Sequence, residues 1–316
     1  DATAELGGAV ARALARSLTP HEERGFDDGE HKARPLEGVG EADCYVIQSL
    51  HGGPDESAND KLCRLLFFIG ALKDAGAARV TAVAPYLCYA RKDRRTKPFD
   101  PVTTRYVAAM FEAVGADRIV TLEVHNPAAF ENAFRRRAVT LSMAPLLLDA
   151  ARRFEADALC VLSPDPGGAK RAELFREALE ARLGRPVGKA FADKHRSAGV
   201  LSGDLLVGDV AGATVLVVDD LISTGATLVR AARAAREAGA RRVIALAAHG
   251  LFMPGAADIL ADPAIDELVV TDSVPPFRLA SSPLTAKLQV VSCAPLLAAA
   301  IARLATGAPL TDLLVF

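Results

Sequence analysis

Three stretches of this chain repeat one pattern: "AGAARVTAVAP" (75–85), "VGADRIVTLEVH" (114–125) and "AGARRVIALAAHG" (238–250). Each reads as the end of a helix, a glycine able to take a left-handed cap, and then a β-branched strand. Helical periodicity precedes them over 59–75, 102–114 and 227–239. Further apolar strands are expected at 44–50, 158–163, 214–220, 267–272 and 288–292. Strands alternating with helices predict an α/β fold whose mostly parallel sheets are flanked by helices. Ligands in such folds sit beyond the carboxyl ends of the strands, so each polar motif can be judged by whether it falls there.

At 316 residues the chain is long enough for two domains, and the recurring pattern suggests two similar halves. The divide is expected near residue 140, between the basic "FRRRAV" and the helical "APLLLDAARRF". That gives an N-terminal domain over 1–140 and a second over 141–284, with a strand and helix in 285–316 packing back on the first. A net charge of −2 argues against a nucleic-acid partner and leaves any anion binding local. No apolar run approaches the roughly 20 residues of a bilayer span, so no membrane partner is expected. Residues 1–18 mix charges without an apolar block, unlike a signal peptide. Five scattered cysteines with no CxxC pair point to reduced thiols and a cytoplasmic location.

The densest motif is "VLVVDDLISTGATLV" (215–229). Val215 to Val218 should carry Asp219 and Asp220 to a strand end, and Ser223, Thr224, Gly225, Ala226 and Thr227 should open a helix. Free amides and the positive dipole end of that helix suit a phosphate. Adjacent side chains on an extended segment point in opposite directions, so the two acids can face sugar hydroxyls or a hydrated Mg²⁺ away from the phosphate. A sugar phosphate offers both kinds of partner. An Asp cap followed by a polar turn would explain one acid and one hydroxyl, but not the whole run.

Other motifs also fall at strand ends. "SPDPGGAKR" (163–171) joins Asp165 to a glycine pair, Lys170 and Arg171, which fits an anion or metal turn or plain helix capping. "YARKDRRTKPFD" (89–100) is a basic run of a kind that is usually a solvated loop, and "LEVHN" (122–126) places His125 after a strand. "FDDGE" (26–30) reads as an ordinary turn, and the Lys-x-Arg of "FADKHRSAG" (191–199) alone reads as a surface loop.

Taken together and in this order, these motifs resemble the ribose-phosphate diphosphokinase (phosphoribosyl diphosphate synthetase) family over nearly the whole chain. The resemblance implies two phosphoribosyltransferase-type domains and transfer of the diphosphoryl group of ATP to the 1-hydroxyl of ribose 5-phosphate. It implies ribose 5-phosphate binding by Asp219, Asp220 and Ser223 to Thr227, and Mg²⁺ placed by His125 and Asp165. ATP would be bound by Arg91, Lys92 and Asp93, with Phe26, Asp28 and Glu30 reaching the adenine of a neighbouring subunit. Lys194 and Arg196 would sit on a mobile catalytic loop, with His125 as a further catalytic group. The assembly would be a homo-oligomer built from dimers, up to a hexamer. Lys92, Glu123, Ser223 and Ala226 depart from the family's commonest residues. The ending "GAPLTDLLVF" lacks the serine-rich segment linked to phosphate and ADP regulation, and Asp312 there is expected to repel an anionic effector. A phosphoribosyltransferase would need only the 215–229 site, whereas a non-catalytic regulatory paralogue could have lost Lys194, Arg196 and His125.

Overall fold

The computed structural model describes residues 3–197 and 200–314, apart from the side chains of 193–205. Along the chain run α1 (Ala4–Ala13), β1 (His21–Gly25), β2 (His31–Pro35), β3 (Asp43–Ile47), α2 (Ala58–Asp74), β4 (Arg79–Val83) and α3 (Thr103–Ala113). These are followed by β5 (Arg118–Leu122), α4 (Pro127–Ala133), β6 (Arg137–Leu141), α5 (Ala144–Ala151), β7 (Leu159–Ser163), α6 (Ala169–Leu183), β8 (Gly188–Ser197) and β9 (Val200–Val207). The rest comprises β10 (Thr214–Ile222), α7 (Ala226–Glu237), β11 (Arg242–Gly250), α8 (Ala256–Leu260), β12 (Glu267–Thr271), β13 (Leu288–Val291) and α9 (Ala294–Thr306). The repeated glycines behave as their pattern requires: Gly76, Gly115 and Gly239 take φ of 87°, 90° and 89° between helix and strand.

The chain forms two compact units, residues 1–142 with 294–315 and residues 143–293. In the first, β3, β4, β5 and β6 pair in that order, all parallel. Leu65, Leu66 and Ile69 of α2 and Val107 and Phe111 of α3 share one buried cluster with Val80, Ala82 and Ile119 of the sheet. A capping box opens α2, with Ser57 Oγ accepting from the Asp60 N–H at 3.2 Å and Asp60 accepting from the Ser57 N–H at 2.8 Å. In the second unit the order is β13-β12-β11-β10-β7-β8-β9, parallel except for the antiparallel β8–β9 pair. Strand–helix alternation thus builds a parallel sheet in each unit, of four strands in the first (β3 to β6) and with six consecutive parallel strands in the second (β13, β12, β11, β10, β7 and β8).

Four features differ from the sequence expectation. The basic "FRRRAV" leads into a strand, β6, that is not among the strands expected from the sequence. Residues around "FDDGE" form a separate antiparallel hairpin, β1–β2. The expected loop at 191–199 is instead largely the end of β8, which pairs with β9. The segment 285–316 is divided: β13 pairs with β12 in the second sheet, while α9 belongs to the first unit. Backbone pairing claims the strand, and side chains claim the helix. Arg118 at the start of β5 donates to Leu304 O of α9 at 3.3 Å and to the Tyr45 hydroxyl at 3.4 Å, and lies 3.6 Å from Asp43.

Arg118→Met keeps the aliphatic stem but removes the donor to the Leu304 carbonyl and one of the two cations beside Asp43, which keeps Arg79 at 3.2 Å. It is expected to lower stability by about 1–3 kcal/mol. Urea unfolding of the variant against the parent checks this, and an unchanged midpoint would show that α9 is held by its apolar face alone.

Candidate active site

In the second sheet the chain leaves β7 for β8 on one side and returns to β10 on the other. The carboxyl ends of β7 and β10 therefore diverge into loops on opposite sides of a crevice, the position where open α/β sheets bind ligands. β7 gives way to the Pro164–Asp165 turn, and β10 runs on to Ile222. The β10–β7 register ends at Val217↔Leu162, while β10 stays paired with β11 as far as Ile222↔Gly250. Asp219 and Asp220 thus project past the end of β7.

The two acids do not point apart as strand alternation predicts. The Asp220 N–H donates to Asp219 Oδ1 at 2.8 Å, and Arg171 Nη1 lies 3.8 Å from Asp219 and 3.7 Å from Asp220. Arg171 stands on the first turn of α6, so the loop after β7 neutralises the acids after β10. Asp220 is buried, whereas the Asp219 side chain keeps 20% exposure. Burial and the adjacent Asp220 carboxylate push the Asp219 carboxyl well above its ordinary value, and Arg171 opposes them.

The phosphate-type turn follows. Gly225 is the N-cap of α7 with φ of 85° and provides no side chain to occupy the first-turn amides. Those N–H groups stay available to an anion. A Cβ on Gly225 would lie 2.4 Å from Leu260, so glycine is needed for space as well as for φ. Neighbouring backbone fixes the turn, because the Leu251 and Met253 N–H groups donate to the Ile222 and Ser223 carbonyls at 2.9 and 3.0 Å. Asp165 does act as a cap, accepting from the Gly168 N–H through Oδ1 at 3.0 Å, while Ser163 Oγ donates to its carbonyl at 2.6 Å. The bland capping role therefore accounts for one carboxylate oxygen of Asp165.

In the first unit, Arg91, Lys92 and Asp93 follow β4, and exposed His125 follows β5. Asn126, the N-cap of α4, joins the two loops by donating to Asp93 Oδ2 at 2.7 Å. The basic loop is organised around Asp100, which accepts from the Thr96 hydroxyl, the Lys97 N–H and the Thr96 N–H at 2.7, 3.0 and 3.1 Å. These bonds, the Thr96 hydroxyl first, pull the Asp100 carboxyl down to about 2. Lys92 Nζ lies 3.5 Å from the same carboxylate, so the lysine braces the loop. Phe26, Asp28 and Glu30 form the tip of the β1–β2 hairpin, where the Phe26 N–H donates to Glu30 O at 2.8 Å and the Glu30 N–H to Asp28 Oδ1 at 3.1 Å. The hairpin rests on α2 through the His31–Phe67 stack at 5.4 Å. Asp312 is held by both Arg303 Nη groups, so the free repulsive charge expected at the C-terminus is neutralised.

Lys194 and Arg196 lie on β8, where the backbone register is Lys194↔Asp204 and Arg196↔Leu201, and their side chains fall outside the described residues. Among the described residues no three His, Cys, Asp or Glu side chains converge as a metal cage. The donors present fit a hard cation that keeps water and shares substrate oxygens, as Mg²⁺ does, rather than one enclosed by protein. Sequence reasoning assigned no role to Asn126 or Asp100, and read Arg171 only as part of an anion or metal turn. Each is an ordinary polar residue in sequence and gains its role only from a neighbour on another loop.

Comparison with known proteins gives three matches along the chain, two of them overlapping. Residues 1–115 match the N-terminal domain of ribose phosphate pyrophosphokinase, 147–251 the phosphoribosyl transferase domain, and 203–314 the phosphoribosyl synthetase-associated domain. The ribose-phosphate pyrophosphokinase of Caldanaerobacter subterraneus subsp. tengcongensis is 38% identical over 98% of this chain and 94% of its own length. That of Pasteurella multocida is 37% identical over 87% of this chain and 85% of its own. The crystal structure of phosphoribosylpyrophosphate synthetase from Mycobacterium smegmatis is similar with a TM-score of 0.85 and 34% identity, covering 96% of each chain.

Two outcomes follow from this geometry. Because the Asp219 carboxyl is raised, the folded protein keeps a proton that the unfolded chain loses near 3.8, so stability should fall as pH rises from about 4 toward about 8. Asp219→Asn should flatten that slope in urea titrations at pH 5 and pH 8, and an equal slope in both proteins would refute the assignment. Gly225→Ala should cost roughly 1–3 kcal/mol through the positive φ and the Leu260 contact. Combining it with Leu260→Ala should cost less than the sum of the single changes, and strict additivity would mean the two do not touch.

Proposed function

The chain belongs to the ribose-phosphate pyrophosphokinase family, and we propose that it transfers the β,γ-diphosphoryl group of ATP to the 1-hydroxyl of ribose 5-phosphate, releasing AMP. The observation that carries this for the chain's own residues is the switch-point crevice, which sets an acid pair, one half-buried and one buried, beside an uncapped, glycine-opened helix. The α7 amides and the Ser223 to Thr227 turn hold the 5-phosphate, and Asp219 and Asp220 accept hydrogen bonds from ring hydroxyls. The sugar is thereby fixed with its anomeric oxygen free to attack the β-phosphorus. Phosphoryl transfer asks a protein mainly for such positioning and for neutralisation of charge.

Arg91, Lys92 and Asp93 contact ATP from the loop that Asp100 and Asn126 stiffen. Lys194 and Arg196 neutralise the phosphates in transit, the guanidinium fork taking two oxygens and the ammonium acting as a point charge. His125 and the remaining oxygen of Asp165 help place Mg²⁺, which when bound offsets the negative charge of the diphosphate. Phe26, Asp28 and Glu30 complete the nucleotide site of a neighbouring copy, so the active unit is at least a dimer. The exposure of the Phe26 ring at the hairpin tip supports that reading. A cytoplasmic setting is supported by five free cysteines. Among the described residues no helix is long and apolar enough to cross a membrane.

A glycosyl-transfer enzyme would require the second unit alone, and the match of residues 1–115 to a pyrophosphokinase N-terminal domain speaks for the diphosphoryl reaction. Incubating the protein with Mg-ATP and ribose 5-phosphate should yield AMP and a 1-diphosphorylated sugar in equal amounts. ADP with a monophosphorylated product would overturn the reaction assigned. Lys194→Ala and Arg196→Ala should each reduce turnover at least roughly a hundredfold while leaving ribose 5-phosphate binding nearly intact, because they act on charge developing in the transition state. Near-parental turnover in either variant would remove that residue from the mechanism.

A further inference from the structure

We infer that Phe252 is a positioning residue for the sugar phosphate: through the loop it anchors, it aims the backbone N–H groups of the phosphate-type turn at their ligand. This rests on the reading of 215–229 as the ribose 5-phosphate site and adds to it a residue outside that motif.

Among the described residues of the second unit, Phe252 is the one non-glycine with positive φ, at 44°. An aromatic residue enters the left-handed region only where its surroundings over-determine it. Here they do. Phe252 is 1% exposed and shares a core cluster with Ile222 before the turn, Leu228 after it and Leu260 against Gly225. A Cβ on Gly250 would lie 2.4 Å from the Phe252 ring, so glycine is needed for the ring to fold back over the end of β11.

Around this residue three consecutive N–H groups converge on two carbonyls. The Leu251 and Phe252 N–H groups donate to Ile222 O at 2.9 and 3.2 Å, and the Met253 N–H donates to Ser223 O at 3.0 Å. Successive N–H groups in a left-handed bend make a concave donor surface of the kind that holds anions, and here it holds the carbonyls at the entry to the turn. In a trans peptide the C=O and the following N–H point in opposite directions. Tying back the Ile222 and Ser223 carbonyls therefore turns the Ser223 and Thr224 N–H groups away from the loop, where a phosphate can take them. A peptide free to flip would present its carbonyl oxygen to the phosphate, and fixing it beforehand removes that cost from binding. Arg278 secures the same loop, since its Nη1 donates to Leu251 O at 2.8 Å while the guanidinium lies 4.4 Å from the Phe277 ring.

The test compares the parent with Phe252→Leu, Arg278→Met and Arg278→Lys by calorimetric binding of ribose 5-phosphate, KM for both substrates and urea unfolding. Phe252→Leu keeps a buried apolar side chain but withdraws the ring from Gly250. It should weaken ribose 5-phosphate binding and raise its KM about tenfold, the weight of one charge-assisted hydrogen bond, with KM for ATP little changed. Arg278→Met should act in the same direction, and Arg278→Lys, which keeps a donor, should recover part of the loss. A purely structural role would lower the urea midpoint and leave the ratio of the two KM values where it was. That result in Phe252→Leu, or unchanged sugar binding, would overturn the inference. If Phe252→Leu does not fold, Arg278→Met decides by the same constants. A parent protein that binds ribose 5-phosphate but forms no product would sink the diphosphoryl-transfer reading alone, and the binding comparison would still judge Phe252. A parent that does not bind ribose 5-phosphate would sink both.

Discussion

Everything polar in the second unit depends on β7 lying between β8 and β10. Parallel strands put all their carboxyl ends on one edge of the sheet, and reversal of the winding direction at β7 opens that edge into a crevice. Beyond Val217 the β10 backbone has lost β7 as a partner but keeps β11, so it stays extended and rigid while one side is open. The acid pair occupies those last strand residues, and the phosphate-type turn begins where the strand stops. Loops alone would not hold charged groups this tightly. Here strand pairing on one side and the α6 arginine on the other fix them.

The same economy appears in the first unit with different chemistry. Its sheet follows chain order without a reversal, so the loops after β4 and β5 must be held by side chains rather than by a crevice. Asp100 gathers the basic loop, and Asn126 fastens Asp93 to the start of α4. Lys92 pairs with the Asp100 carboxylate and Arg95 donates to the Asp100 carbonyl, while Arg91 is exposed. The strand-end loops of the two units thus differ in character, acids and open amides in the second and bases in the first.

Much of this was legible in the residues. Strands such as 214–222 and 242–250 are continuous apolar runs because both faces of a parallel sheet are covered, and glycines with positive φ mark where helices stop. The motifs at 163–171, 215–229 and 122–126 all fall at strand ends, as the alternation indicated. The elements that escaped are those without an apolar period. The β1 and β2 sequences "HEERG" and "HKARP" are mostly charged because their hairpin is largely solvated, and the β8 segment "DKHRS" carries no alternation to read. β6 begins with an arginine run that looks like a linker until its later residues enter the sheet.

The sequence by itself determined the types of the apolar-periodic elements, the strand ends at which chemistry can sit and the family to which these motifs belong, because periodicity, capping and turn residues are local properties. Tertiary structure alone decided the strand order, the assignment of β13 to one unit and α9 to the other, and the meeting of Asp219 and Asp220 at Arg171. Those outcomes depend on backbone partners and charges dozens of residues away. Arg171 and Asp220 are neighbours only because β7 and β10 lie side by side, and no local pattern in either segment encodes that pairing.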